Sequence, residues 1–220
     1  MTRQSEGWTY RNRRGSRALY FRGALLGLAL CFASVALAAD EPFGDLLADH
    51  VAALKRRTAI PPSYAPVTLA WLAQLPTPAI RTEADLEALA EVEGHAVALP
   101  GYITRVVPVP ARLPGRGATR WEFYLHLRAA APPTCEYYDD PRNVVAVVTP
   151  AFQPPHTGWD FDELAELCRA HTRVRVSGWR LYDPFSRPQV GRSRVSPWGV
   201  HPVTALEVWH AQDRVWRRVP

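Results

Sequence analysis

The sequence has few cysteines and almost no lysine. Three of its 220 residues are cysteine, and Lys55 is the single lysine among 26 basic residues. Neither Cys135 nor Cys168 has the further cysteines or histidines that would complete a zinc site, because His171 adds only one close ligand. These absences disfavour a zinc centre. They also make arginine the general cation of the chain, at solvated positions as well as in any binding site.

Sequence motifs of several enzyme classes are also absent. The chain has no glycine-rich phosphate loop, no His-Glu-x-x-His pattern and no serine nucleophile turn. His156, Asp160, Asp162 and His201 are candidates for hydrolytic chemistry, but acids in a first helical turn also offset the helix dipole. A histidine before a proline can equally bond a backbone carbonyl. We therefore predict no catalytic residues, no metal site and no cofactor.

The first 38 residues have the pattern of an export signal. Six arginines and one acid, Glu6, accompany an apolar run over residues 23–33 that continues to small residues ending at Ala38. The order is that of a signal peptide, and the run is shorter than the roughly 20 apolar residues of a membrane span. We predict cleavage near Ala38 and a periplasmic or secreted protein without stable membrane insertion. An uncleaved membrane anchor is the alternative.

Loss of this segment changes both the charge and the cysteine content of the chain. The remaining residues carry 20 basic and 20 acidic groups, so the mature protein is close to neutral. Two cysteines remain, Cys135 and Cys168, in a compartment that is usually oxidising. We predict a disulfide between them; two unpaired thiols are the alternative.

The mature chain divides into an acidic part and a basic part. Residues 39–93 carry nine acids against four bases, whereas residues 94–220 carry sixteen bases against eleven acids. Apolar residues recur every three or four positions over 43–54, which predicts a helix that ends before Pro61-Pro62. Thr82, followed by acids, predicts the start of a second helix. We interpret 39–93 as a helical extension packed on the second part.

From residue 94 onward the pattern changes to strands. This part predicts three strands, a helix and two strands. That order matches the OB-fold, a five-stranded Greek-key barrel, so we predict a mainly β protein with an OB-like domain over 94–220. A small α+β sandwich with the same elements is the alternative. The predicted strands cover 95–107, 121–127, 143–148, 174–179 and 203–209, and the helix covers 160–170.

Six short segments within residues 144–208 share residues and spacing with one group of proteins. They are Val147-Val148-Thr149-Pro150, His156-Thr157-Gly158-Trp159, Arg173-Val174-Arg175-Val176-Ser177-Gly178-Trp179, Leu181-Tyr182-Asp183-Pro184, Gly191-Arg192-Ser193-Arg194 and Trp198-Gly199-Val200-His201-Pro202-Val203-Thr204. Here the chain resembles uncharacterised exported bacterial proteins with an OB-like domain. The resemblance implies that module and no particular chemistry. The chain departs from the group at Phe185-Ser186, where an acid and a histidine are expected, and at Gly199, where an acid is expected.

Two loops of the predicted barrel are rich in arginine and aromatic residues. OB-folds bind nucleic acids or sugars with the loops after strands one and four. Guanidinium groups follow phosphates while aromatic rings stack on bases, so we predict a polyanion ligand, either single-stranded nucleic acid or an acidic glycan. Packing of the aromatic residues onto the barrel is the alternative. The predicted ligand-binding residues are Arg112, Arg116, Arg120, Tyr182, Phe185, Arg187, Arg192, Arg194, Trp198 and His201.

Together these features predict an exported, non-catalytic OB-like module that binds a ligand. A metal-assisted phosphodiester hydrolase on the same barrel is the first alternative. The second is a scaffold whose acidic N-terminal extension docks a protein partner.

Overall fold

The main structural feature is a ring of strands with helices packed on its outside. The computed structural model describes residues 42–111, 120–135, 139–153 and 159–220, all within one compact unit. Its helices are α1 (Pro42–Lys55), α2 (Leu69–Ala73), α3 (Glu83–Glu93) and α4 (Phe161–Arg169). Its strands are β1 (Ala65–Pro66), β2 (Ala96–Pro110), β3 (Trp121–Arg128), β4 (Val144–Val148), β5 (Arg173–Tyr182), β6 (Trp198–His210) and β7 (Val215–Arg218).

The ring closes through five strands. Its neighbours run in the order β2, β3, β4, β6 and β5, and β5 pairs again with β2. The β4–β6 pair is parallel, and the other pairs of the ring are antiparallel. Outside the ring, β1 runs parallel to β2 and β7 pairs antiparallel with β6. The predicted mainly β class, with three strands, a helix and two strands, is confirmed, whereas β1, β7 and α2 are additions.

The core fills the inside of this ring. Alternate residues of a strand point to opposite faces of a sheet, so one set from each strand meets in the interior. That set is apolar in every strand of the ring, and its burial is the main source of stability. Representative buried residues are Leu99, Ile103, Leu125, Leu127, Val144, Ala146, Val174, Val176, Val203 and Leu206.

The N-terminal helices form as their sequence signals predict. Thr82 caps α3: its hydroxyl accepts a hydrogen bond from the Asp85 amide at 3.2 Å, and the Asp85 carboxylate accepts one from the Thr82 amide at 2.9 Å. Such a capping box satisfies two backbone donors at the start of a helix. Leu89 on the inner side of α3 is buried against the core.

A buried carboxylate fastens α1 and α3 to the ring. Glu93, the last residue of α3, is fully buried and accepts a 2.8 Å hydrogen bond from the Tyr182 amide of β5. Its second oxygen lies 2.7 Å from Nε2 of His50 on α1. Burial raises the pKa of Glu93, and the bonds to His50 and Tyr182 partly offset that effect. One side chain thus joins two helices to one strand.

The predicted signal peptide lies outside the described residues. Over the described ranges, no helix has the length and apolar character needed to cross a membrane.

The predicted disulfide is present. The sulfur atoms of Cys135 and Cys168 are 1.98 Å apart and their Cα atoms 5.5 Å apart. Cys168 is buried on α4, and Cys135 lies in the segment after β3. The bond therefore links α4 to the segment between β3 and β4.

Opening the disulfide is expected to lower the free energy of unfolding by about 3–4 kcal/mol. The bond joins residues 33 apart and so restricts the unfolded chain. The measurement is urea unfolding of the oxidised protein, of the reduced protein and of the Cys135→Ser variant. The last two should agree, because both lack the same bond. Equal midpoints for the oxidised and reduced protein would contradict this prediction.

Candidate functional site

The predicted ligand residues do not form one surface. Arg112 and Arg116 lie outside the described residues, as does His156. The other eight divide by burial. Arg120, Phe185, Arg187 and Arg192 are exposed, whereas Tyr182, Arg194, Trp198 and His201 are buried.

The side chains of Tyr182 and Trp198 pack against the ring of strands, so their aromatic faces are not exposed to solvent. Their ring centroids are 5.2 Å apart, and the Trp198 indole donates a hydrogen bond to the Pro76 carbonyl at 2.9 Å. Arg187 donates to the Tyr182 hydroxyl at 2.6 Å. For these two aromatic residues, the structure has the packing arrangement that the sequence left open as the alternative.

Arg194 is a buried structural cation. Its Nε donates to the Ser196 carbonyl at 2.6 Å and its Nη2 to the Trp198 carbonyl at 3.2 Å. Burial lowers its pKa, and the negative charge of Asp183 opposes that shift. The side chain fixes the conformation of the segment before β6. Amino-acid composition alone cannot distinguish this structural role from a contact with a ligand.

A small pocket opens on the outer side of β3, β4 and β6. Its volume is about 20 Å³, and its polar lining consists of Tyr124, Asp183, Arg194 and His201. The remaining wall is apolar and includes Val147. We call this the His201 pocket.

His201 is the buried histidine in the lining of this pocket. Only 4 % of the residue is exposed, and Lys55 at the end of α1 lies near its ring. Its Nε2 atom has no hydrogen-bond partner among the described residues. Burial, helped by the nearby Lys55 charge, lowers the pKa of His201 to about 3, so the imidazole is neutral at physiological pH.

Two pairs of interacting charged or polar side chains lie at the pocket. Lys55 Nζ at the end of α1 lies 2.7 Å from a carboxylate oxygen of Asp183. The Tyr124 hydroxyl donates a long, 3.5 Å hydrogen bond to Glu122. Burial raises the pKa of Tyr124 to about 12, and the charges of Glu122 and Asp183 add to the effect. Burial also raises the pKa of Glu122.

A second surface lies on the outer side of β5, β6 and β7. Trp209 and Trp216 face each other across the β6–β7 pair, with ring centroids 5.2 Å apart. The Arg173 guanidinium lies 5.9 and 5.7 Å from those two centroids, and the Arg175 guanidinium lies 4.9 Å from that of Trp216. We call these four residues, with Glu207 and Arg218, the arginine–tryptophan face.

Among the described residues, a carboxylate neutralises only one arginine of this face. Arg175 forms a two-point ion pair with Glu207, at 2.6 and 2.5 Å. Arg173 is exposed and has no carboxylate partner within the part of the chain that the structure describes. A groove of about 510 Å³ passes beside it, lined also by Tyr64 and Trp216. The face thus combines unbalanced positive charge, aromatic rings and an open groove.

Sequence reasoning missed this face although part of its signal was present. The alternation of Arg173 and Arg175 with buried Val174 and Val176 places both arginines on the outside of a strand. Trp216 gave no such signal, because β7 is a four-residue strand beyond the predicted elements.

Comparison with known proteins adds no relative. No family model, no curated protein and no solved structure matches this chain. In the described ranges, no group of three or more His, Cys, Asp or Glu side chains is arranged to hold a metal ion.

Because His201 is buried in its neutral form, we expect acid to lower the stability of the fold. A histidine in the unfolded chain titrates near 6.5, whereas His201 in the folded protein has a pKa of about 3. Between these values the unfolded chain binds the extra proton. The free energy of unfolding should therefore fall by about 1.4 kcal/mol for each pH unit below 6.5 on account of this residue.

Urea unfolding at about pH 7.5 and about pH 5 measures this dependence. His201→Gln should lose that part of the difference between the two conditions, whatever its stability at neutral pH. His171→Gln, which changes an exposed histidine, is the control. It should show the parent's difference in free energy of unfolding between the two pH values. A His201→Gln variant with the parent's full pH dependence would refute the prediction.

Proposed function

We propose that the protein is an exported, non-catalytic module that binds a polyanion on the arginine–tryptophan face of an OB-fold. The strand order supports the fold. The first three strands of the ring follow one another, α4 comes next, and β5 and β6 return between the first and third strands. This is a five-stranded Greek-key arrangement with a helix between its third and fourth strands. The sequence resemblance to exported OB-like proteins points the same way.

The observation that carries the proposal is the placement of Arg173. Its guanidinium lies near two tryptophan rings, which orients it, and no described carboxylate neutralises it. Arg218 adds a second exposed cation, opposite Glu207 in the strand register. A guanidinium binds phosphate or carboxylate oxygens through paired hydrogen bonds, and such bonds are stronger than those between neutral groups. The ligand's anions would supply the partners that the protein does not.

The groove gives the ligand a path along the face. Tyr64 and Trp216 lie on its walls beside Arg173 and Arg175. Aromatic side chains stack on bases and on sugar rings, while the cations contact the charged groups between them. A chain of repeating anionic units, either a single-stranded nucleic acid or an acidic glycan, matches this alternation. Since the mature chain is close to neutral, affinity depends on this local arrangement.

The exposed loop residues are the competing position for the same ligand. Phe185, Arg187 and Arg192 are exposed on the segment between β5 and β6. Two of the predicted members of that site, Tyr182 and Trp198, are packed inside, so the loop offers fewer rings for stacking. The two surfaces carry comparable numbers of arginines, which allows a matched test.

Two double variants separate the surfaces at equal change of net charge. Arg173→Ala/Arg218→Ala should weaken binding of a labelled oligodeoxythymidylate or a labelled polygalacturonate at least tenfold. For the oligonucleotide, the slope of log affinity against log salt should fall by about 1.4, about 0.7 for each lost phosphate contact. Arg187→Ala/Arg192→Ala should bind as the parent does. Fluorescence anisotropy over a salt series gives both quantities.

The contrary results are distinct. If only the loop variant loses affinity, the polyanion site is on the loop. If the parent binds neither probe, the polyanion proposal fails. If the oligonucleotide is shortened and EDTA stops its cleavage, the protein is a metal-assisted hydrolase and not a binding module.

Export can be tested on the native product. The mature protein isolated from the periplasm or medium is expected to begin near residue 39 and to lack the two hydrogens that disulfide formation removes. Intact-mass measurement before and after reduction checks both expectations. A chain beginning at Met1 would overturn the proposed export with cleavage.

A further inference from the structure

We infer that the ligand of the arginine–tryptophan face is a glycan of uronic-acid units, in which each sugar carries a carboxylate and free hydroxyl groups. This inference rests on the proposed polyanion function and selects one of its two ligand classes. The feature that decides between the classes is Glu207. It is a carboxylate in the lining of a groove whose other charged groups are the arginines Arg173 and Arg175.

The strand register places Glu207 between two cations. It lies opposite Arg175 of β5 on one side and opposite Arg218 of β7 on the other. Arg175 donates to both of its oxygens, at 2.6 and 2.5 Å. The pair is not sealed from solvent, because 32 % of the Arg175 side chain and 21 % of the Glu207 side chain are exposed. A ligand in the groove therefore meets a guanidinium and a carboxylate side by side.

This ion pair offers a ligand acceptors as well as donors. A carboxylate has about four lone-pair sites, and the two bonds from Arg175 use one on each oxygen of Glu207. The remaining lone pairs accept hydrogen bonds from hydroxyl groups, and such bonds to a charged group are stronger than those between neutral groups. An ionised phosphodiester has no hydrogen to donate, so beside Glu207 it meets only a like charge. Sugar hydroxyls therefore match this position better than a nucleic-acid backbone does.

The two tryptophans do not form a platform for stacked bases. Nucleobases have N–H donors for a carboxylate, but single strands bind such surfaces with their bases stacked on aromatic faces. The planes of Trp209 and Trp216 are inclined at 58°, with centroids 5.2 Å apart. The Arg175 guanidinium lies 4.9 Å from the Trp216 centroid and covers part of that ring. A puckered sugar contacts the indole through C–H groups, which the negative face of the ring attracts, and needs no flat platform.

Arg173 accounts for the acidic group of the ligand. Its guanidinium lies 5.7 Å from the Trp216 centroid and has no carboxylate partner among the described residues. A sugar carboxylate accepts two parallel hydrogen bonds from such a group. Arg173 and Arg175 are two positions apart on the outer side of β5, a separation of about 6.6 Å along the strand. A uronate unit can thus place its carboxylate on Arg173 and its hydroxyls on the Arg175–Glu207 pair.

Glu207→Gln should have opposite effects on the two ligand classes. It removes a negative charge from the groove, so it should tighten binding of a labelled oligodeoxythymidylate. It also removes the charged acceptor for sugar hydroxyls, so it should weaken binding of labelled polygalacturonate about threefold to tenfold. Fluorescence anisotropy of the mature protein at one fixed salt concentration measures both affinities.

Asp213→Asn is the matched control. Asp213 lies in the turn between β6 and β7 and also forms an ion pair with an arginine, Arg217, but it is not part of the groove lining. The substitution changes the net charge by the same amount as Glu207→Gln. It should leave the polygalacturonate affinity at or slightly above that of the parent. Urea midpoints of both variants identify any loss of binding that is caused by unfolding.

The parent protein allows a second test that needs no variant. Labelled poly-L-glutamate carries carboxylates without hydroxyl groups. If hydroxyls are recognised at the Arg175–Glu207 pair, the parent should bind this polymer about tenfold more weakly than polygalacturonate under the same conditions.

Several results would overturn the inference and leave the polyanion proposal in place. They are tighter binding of polygalacturonate by Glu207→Gln, an equal loss of affinity in Asp213→Asn, and equal affinity of the parent for poly-L-glutamate and polygalacturonate. Binding of the oligonucleotide without binding of polygalacturonate would assign the face to nucleic acid. If the parent binds neither, the proposed function fails and this inference fails with it.

Discussion

The pairing of β2 with β5 is the contact on which the rest of the structure depends. It joins the first and fourth strands of the ring over Ala96–Tyr102 and Arg173–Trp179, and without it the sheet would have two open edges. Its register also decides what each face displays. With Val176 opposite Leu99 the apolar residues point inward, and Arg173 and Arg175 point outward. A slip of one residue would exchange these faces, so the same constraint that forms the core also builds the arginine–tryptophan face.

The acidic N-terminal extension is part of the folded unit, and it brings its charges to defined places. Glu93 joins α1 and α3 to β5, a costly arrangement for a buried carboxylate that the bonds to His50 and Tyr182 make tolerable. With α1 fixed in this way, Lys55 at its end reaches Asp183 and lies near His201. Docking of a protein partner by the extension stays a prediction. The main contacts of this segment in the structure are with the rest of the same chain.

The sequence predicted the elements that local chemistry specifies. Segments rich in apolar residues predicted every strand of the ring, the Thr82 cap predicted the start of α3, and the cysteine count predicted the disulfide. It could not predict which polar residues would be buried, because burial depends on contacts between distant segments. The four buried members of the predicted ligand site are examples: Trp198 finds its acceptor at Pro76, 122 positions away. The short strand β7 was missed for the same reason, since only its pairing with β6 defines it.

The arginines show why composition does not locate a binding site in this chain. Because almost every cation is arginine, residue type cannot separate structural from functional positions, whereas the acceptor that each guanidinium finds can. Arg194 donates to backbone carbonyls in the interior, as does Arg180, which donates to the Val92 carbonyl at 2.9 Å near the end of α3, where a cation also complements the helix dipole. Arg175 is satisfied by Glu207. Arg173 has aromatic neighbours but no described carboxylate partner, so a ligand can still neutralise its charge.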